Sequence, residues 1–141
     1  MNRLLSLALV CALALTAAAC GGSSTTAPTT TTVVPTAGTE AFTGTMAPGG
    51  TAIRNFTASA AGTVSVTLLT TDPNSTLLGL GIGIPGTNNG NCDMTKTLQT
   101  RAGSTAQLTA SVEAGSFCAG AFDIGAVGAN GVVIGMTVAH P

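Results

Sequence analysis

The sequence predicts an all-β fold: an antiparallel β-sandwich or jelly-roll-like domain of about seven or eight strands. Three observations predict it. Past residue 39 the extended runs alternate apolar and polar residues at period two. None of them sustains the 3.6-residue period of a helix, and turn residues interrupt them at short intervals.

Taken in order, the first strand is Glu40 to Thr45, carrying Phe42 and closed by the turn residues Pro48-Gly49-Gly50. Thr51 to Ala58 follows, with Ile53 and Phe56 as its large apolar groups. Gly62 to Thr71 is the clearest strand: Val64, Val66 and Leu68 face one way, Thr63, Ser65 and Thr67 the other, as in a half-buried antiparallel strand. Asp72-Pro73-Asn74 is a turn, because proline cannot donate to a central ladder.

The next run, Leu77 to Ile84, sets Leu78, Leu80, Ile82 and Ile84 on one face and Gly79, Gly81 and Gly83 on the other. A smooth glycine face admits close approach by a ligand or another backbone. The expectation here is a face covered by bulky neighbours or left bare, since no polar groups converge on it. Pro85 to Arg101 reads as a long polar loop with Asn89-Gly90 as a turn, pinned by Cys92. Strands resume at Thr105 to Val112, turn at Glu113-Ala114-Gly115, continue through Ser116 to Ile124 and end with Val132 to Ala139. Asn130-Gly131 is a hairpin signal before that last strand.

Three segments organise the chain of 141 residues: 1–19, 20–39 and 40–141. Met1-Asn2-Arg3 is a short positive start and Leu4 to Leu15 an apolar run too short for a spanning helix, so 1–19 reads as a cleaved signal peptide. From Gly21 to about Gly38 the residues are Thr, Ser, Gly, Ala and Pro with little else, a composition that cannot bury enough surface to offset chain entropy. It is expected to be a disordered tether.

Small residues at Ala17-Ala18-Ala19, directly before Cys20 and followed by Gly21-Gly22-Ser23-Ser24, resemble the lipobox of bacterial lipoproteins. The resemblance implies a diacylglyceryl group on the Cys20 thiol, cleavage before it and attachment to a membrane. Gly21 resembles lipoproteins not retained at the inner membrane, which implies the outer membrane in a Gram-negative host. The same Ala17-Ala18-Ala19 also fits the A-x-A site of ordinary signal peptidase, which would leave a soluble, adhesin-like secreted protein.

Of 4 cysteines, Cys11 leaves with the signal and Cys20 goes to lipid. Cys92 and Cys118 remain, and in an oxidising compartment they are expected to form a disulfide. In the chain-entropy account such a bond stabilises by about 3–3.5 kcal/mol.

Composition narrows the function. A net charge of -1 lacks the electrostatic footprint that phosphate backbones require, and the chain has no Trp or Tyr on which bases or sugars could stack. Nucleic acid is therefore excluded as a partner. The single histidine, His140, stands one residue from the end of the sequence, where an exposed and frayed side chain is expected. No catalytic triad is written here, and no cofactor site or metal site is expected. Lys96 and Arg101 could hold an anion, although lone loop cations are usually only solvated. Asp123 is placed to satisfy turn amides.

The run Ala114-Gly115-Ser116-Phe117-Cys118-Ala119-Gly120-Ala121-Phe122-Asp123 resembles the "aGtYyvrVyd" signature of bacterial pre-peptidase C-terminal domains. Phe42-Thr43-Gly44 is similar to that family's opening "FxG", and Ala61-Gly62-Thr63-Val64-Ser65-Val66 to its "aGxvxv" strand. Val132 to Val138 takes the place of its closing strand. The resemblance implies a jelly-roll-like sandwich of the kind appended to secreted proteases, some members of which bind calcium or matrix polymers. Phe117 stands where the family has Tyr, and its acidic "DxDL" strand is reduced to Asp72-Pro73-Asn74-Ser75-Thr76-Leu77. Calcium needs six to eight oxygens, and Glu40, Asp72, Asp93, Glu113 and Asp123 are scattered along the chain. The expected function is a non-catalytic, lipid-anchored envelope module that meets a protein or polymer partner. The alternatives are an accessory domain of a secreted hydrolase system and a small calcium-binding module.

Overall fold

The computed structural model describes residues 37–87 and 90–141. The signal peptide, Cys20, the tether up to residue 36 and Asn89 of the Asn89-Gly90 turn lie outside them. Eight strands follow one another: β1 (Gly38–Met46), β2 (Thr51–Ala58), β3 (Gly62–Asp72), β4 (Leu78–Pro85), β5 (Cys92–Thr100), β6 (Leu108–Val112), β7 (Gly115–Phe122) and β8 (Val132–His140). Gly38 and Thr39, read from the sequence as tether, already belong to β1.

The strands form two four-stranded antiparallel sheets in the orders β1-β8-β3-β6 and β2-β7-β4-β5. These orders have one simple origin. The chain pairs with itself as a long ribbon, β1 with β8, β2 with β7, β3 with β6 and β4 with β5. Wrapping that ribbon then brings β8 against β3 and β7 against β4. The result is a jelly roll, as the alternation predicted.

The core lies between the sheets and comes mainly from the central strands. Val64, Val66 and Leu68 of β3 and Ile134, Met136 and Val138 of β8 face Leu78, Leu80 and Ile82 of β4 and Ala119 and Ala121 of β7. Small alanines opposite large aliphatics let the layers interdigitate at native density. A bulge between Leu68 and Thr70 interrupts the β3 ladder. Gln107 mends it: its side-chain oxygen accepts the Leu68 amide at 2.8 Å and its amide nitrogen donates to the Leu68 carbonyl at 3.3 Å. Because that side chain and Gly103 serve Leu68, β6 begins at Leu108 and not at Thr105 as the sequence suggested.

Three further expectations are corrected. Residues 92–100 are a strand, β5, and not loop. It is an edge strand with polar residues on both faces, and a bulge opposite Ile82 and Gly83 breaks its period, so it shows no alternation to read. Asn130-Gly131 makes a turn, with the Gly131 amide donating to the Gly128 carbonyl, but β7 and β8 lie in different sheets and form no hairpin. His140 is neither exposed nor frayed. Its side chain is 11% exposed, stacks on Phe56 at 5.1 Å and pairs across the ladder with Gly38.

Long cations close the two sides of the sandwich. Arg54 of β2 meets Glu40 of β1 at 2.9 Å, and Lys96 of β5 donates to the Thr109 carbonyl of β6 at 2.6 Å. Each joins one sheet to the other where the edge strands diverge.

Leu80 is wholly buried in a central strand, whereas Leu98 of β5 is 41% exposed. Leu80→Ala is expected to cost about 2–5 kcal/mol of unfolding free energy, read as a lower urea midpoint at unchanged slope. Leu98→Ala should cost under about 1 kcal/mol. Equal losses would mean that β5 is buried in solution, contrary to this packing.

Candidate functional site

The outer face of the second sheet is built around missing side chains. On β4, Gly79, Gly81 and Gly83 point away from the core, and each space is taken by a neighbour. The Phe122 ring lies against Gly79 where a Cβ would stand, and the Met94 sulfur does the same over Gly81. At Gly83 the occupant is backbone, the carbonyl of Asp93. The two readings of the glycine face are thus both realised: bulky neighbours cover two positions, and another chain segment approaches the third.

That approach has a geometric consequence. β5 and β7 flank β4, so their backbones should be roughly 9–10 Å apart in a regular sheet. The register slip between Ile82 and Gly83 carries the start of β5 over β4, and Cys92 comes within 5.9 Å (Cα to Cα) of Cys118 on β7. Cys92 and Cys118 thus stand as a disulfide pair reaching across an intervening strand. Cys118 is completely buried beneath this crossing, and Cys92 is half-buried.

Beside the crossing runs a groove of about 420 Å³. Its walls are Ile53 and Thr51 of β2, Phe122 of β7, and Cys92, Met94 and Thr97 of β5. On the neighbouring side, Gly120 again lacks a side chain: a Cβ there would strike the Ala52 carbonyl and come within 3.0 Å of the Ile53 Cα. β2 therefore leans close over β7. A second hollow, of about 410 Å³, lies on the first sheet around Phe42, Leu69 and Thr70. The first groove is the better candidate, because a disulfide and a braced turn fix its walls.

Asp123 braces that turn at one end of the groove. Its Oδ1 accepts the amides of Gly125, Ala126 and Val127 at 2.8, 2.9 and 3.0 Å, and its Oδ2 accepts the Gly49 amide at 2.8 Å. The Asp123 amide also donates to the Gly50 carbonyl. Gly49 and Gly125 adopt φ of 70° and 92°, conformations open to glycine, so the amides can converge on the carboxylate. The Gly49 amide is the largest influence holding the carboxyl below its ordinary 3.8; desolvation opposes it, and the Val127, Ala126 and Gly125 amides add to it.

The remaining candidates are likewise engaged. Lys96 donates to the Thr109 carbonyl, and the Arg101 guanidinium donates to the Ser75 carbonyl. Among the described residues no three of His, Cys, Asp or Glu gather as a metal set. Cys20 lies outside the described residues. Sequence reasoning missed Ile53, Met94, Thr97 and Phe122 as a group. The available signal was Cys92 and Met94 at period two, which the bulge cuts short.

No protein-family model, curated protein or solved structure matches this chain.

The Asp123 geometry predicts an acid limb. Because its carboxyl is held lower in the folded state, the stabilisation is full above the ordinary value of 3.8 and is lost as pH falls through the folded value. Asp123→Asn should flatten the fall in thermal midpoint below about pH 4 while lowering the midpoint at pH 7. An unchanged acid limb would show that other carboxyls carry it.

Proposed function

We propose that this protein is exported, carries lipid on Cys20, and presents the domain that begins with β1 at Gly38 at the cell envelope as a non-catalytic binding module. The tether between Cys20 and β1 would hold the domain off the membrane, and in a Gram-negative host that membrane would be the outer one. The observation that carries the reading is the short apolar run Leu4 to Leu15 ending in Ala17-Ala18-Ala19 immediately before Cys20. The Cys92–Cys118 pair, 5.9 Å apart at Cα, supports an oxidising compartment for the folded part.

Several engaged side chains favour binding over catalysis. The His140 ring is packed between Phe56 and Gly38, the four amides on Asp123 occupy its carboxylate, and Arg54 spends its charge on Glu40. The binding face is the groove walled by Ile53, Phe122 and Met94. With aliphatic, aromatic and sulfur walls and hydroxyls at Thr51 and Thr97, it suits an uncharged segment of an envelope protein or polymer. The jelly-roll strand order is also in keeping with the resemblance to pre-peptidase C-terminal domains.

Cys20→Ala tests the anchor. The native protein should partition into the detergent phase of a membrane extract and the variant into the aqueous phase, because stable attachment needs the acyl chains. A variant that stays with the membrane would refute lipidation at Cys20.

A further inference from the structure

We propose that the Cys92–Cys118 pair is a redox latch that selects between two registers of the β4–β5 ladder. The register seen here is the bulged one of the two. From Thr100 to Lys96 the two strands pair regularly, Thr97 opposite Gly81 and Lys96 opposite Ile82. Thr95 is then skipped, and Met94 stands opposite Gly83, Asp93 opposite Ile84 and Cys92 opposite Pro85. This slip puts Met94 and Cys92 on the outer face, over the glycines, and leaves Ile84 55% exposed.

Removing the bulge gives the other register. Thr95 would oppose Gly83, Met94 would oppose Ile84 and Cys92 would oppose Gly86. A one-residue slip sends every side chain to the opposite face. Met94 would then cover the exposed Ile84, and the trench above Gly81 would open. Cys92 would point away from Cys118. The disulfide is therefore compatible with only one of the two registers. Besides the disulfide, this register is held by Met94 over Gly81, by the Thr95 hydroxyl donating to the Ile82 carbonyl at 3.2 Å and by the Gly86 amide donating to the Asn91 carbonyl at 2.9 Å; the strand is at a sheet edge, and none of its residues is buried.

The reduction balances with a dithiol as reductant. One thiolate of the dithiol attacks the half-buried Cys92 sulfur, breaking the bond to Cys118, and the Cys118 thiolate takes a proton from water. The second thiol of the reductant then attacks the mixed disulfide, frees Cys92 as a thiol and leaves the reductant as its own disulfide. Two electrons and two protons pass to the protein. Because Cys92 and Met94 wall the groove, the latch would also set the groove's width, a consequence that rests on the groove being the binding face.

The test follows cross-strand proton contacts by NMR in the protein before and after treatment with dithiothreitol. The oxidised protein should show Gly83 against Met94. On reduction that contact should vanish and one between Gly83 and Thr95 should appear, with Gly81 against Thr97 retained. Persistence of Gly83 against Met94 after reduction, or loss of every β4–β5 contact with no new register, would overturn the latch.

Gly83→Ala supplies a second arm, since its Cβ would occupy the place of the Asp93 carbonyl in the bulged register only. Under non-reducing conditions this variant should leave Cys92 and Cys118 open to alkylation, read by peptide mass, while keeping Gly81 against Thr97. Disulfide formation as complete as in the native chain would count against the proposal. An uncharged apolar dye, Nile red, separates the two ideas. Binding that rises on reduction supports the link to the groove, and equal binding in both states breaks that link. Absence of binding in both states removes the groove as a binding face and leaves the register result to decide the latch.

Discussion

With hydrogen in place of a side chain at Gly79, Gly81 and Gly83, β4 offers its neighbours bare backbone, and each neighbour uses it differently. Phe122 lays its ring there, Met94 its sulfur, and β5 its main chain. The inner face of the same strand carries Leu78, Leu80 and Ile82, the centre of the core. One strand thus anchors the hydrophobic packing on one side and receives Phe122, Met94 and the β5 main chain on the other. The Cys92–Cys118 approach makes use of this arrangement, because the Asp93 carbonyl lies where a side chain at Gly83 would stand.

Sparse charge shapes the rest. With only 4 Lys and Arg and 5 Asp and Glu in the chain, most charged side chains that the folded part offers serve as ties. Glu40 and Arg54 close one side of the sandwich, Lys96 closes the other, and Arg101 reaches the loop at Ser75. Asp123 gathers four amides from two loops. A partly exposed pair such as Glu40–Arg54 contributes only about 0–1 kcal/mol, so these ties direct the fold more than they stabilise it.

Much of this was legible in the sequence, for identifiable reasons. β3 and β8 could be read nearly to their ends because one face is core and the other solvent, which writes period two directly, whereas β2, with Ile53 and Phe56 on opposite faces, could be read to its ends from the turn residues that flank it. β5 could not, because an edge strand with little burial imposes no alternation, and the bulge at Thr95 shifts what pattern there is. Turn residues at Asn130-Gly131 announced a reversal, but a local signal does not say whether the next strand joins the same sheet. His140 was misread because nearness to the end of the sequence suggested fraying, whereas β8 is an interior strand held between β1 and β3. Counting cysteines paired Cys92 with Cys118; that the bond would pass over a strand was not visible without the glycine contacts. The groove likewise needed four strands brought together before Ile53, Phe122 and Met94 could be seen as one wall.

The wrapped ribbon has a bearing on when the domain can form. Its outermost pair joins the first strand to the last, and β8 supplies the middle of the first sheet. Until residues 132–140 are free, β1 has no ladder partner and β3 has only the short β6. A chain that appears from its N-terminus therefore has to wait for β8 before β1 can join that sheet. Its contacts are mostly between residues far apart in sequence, an arrangement that folds slowly. Such a chain is held open by its own topology until β8 has been delivered.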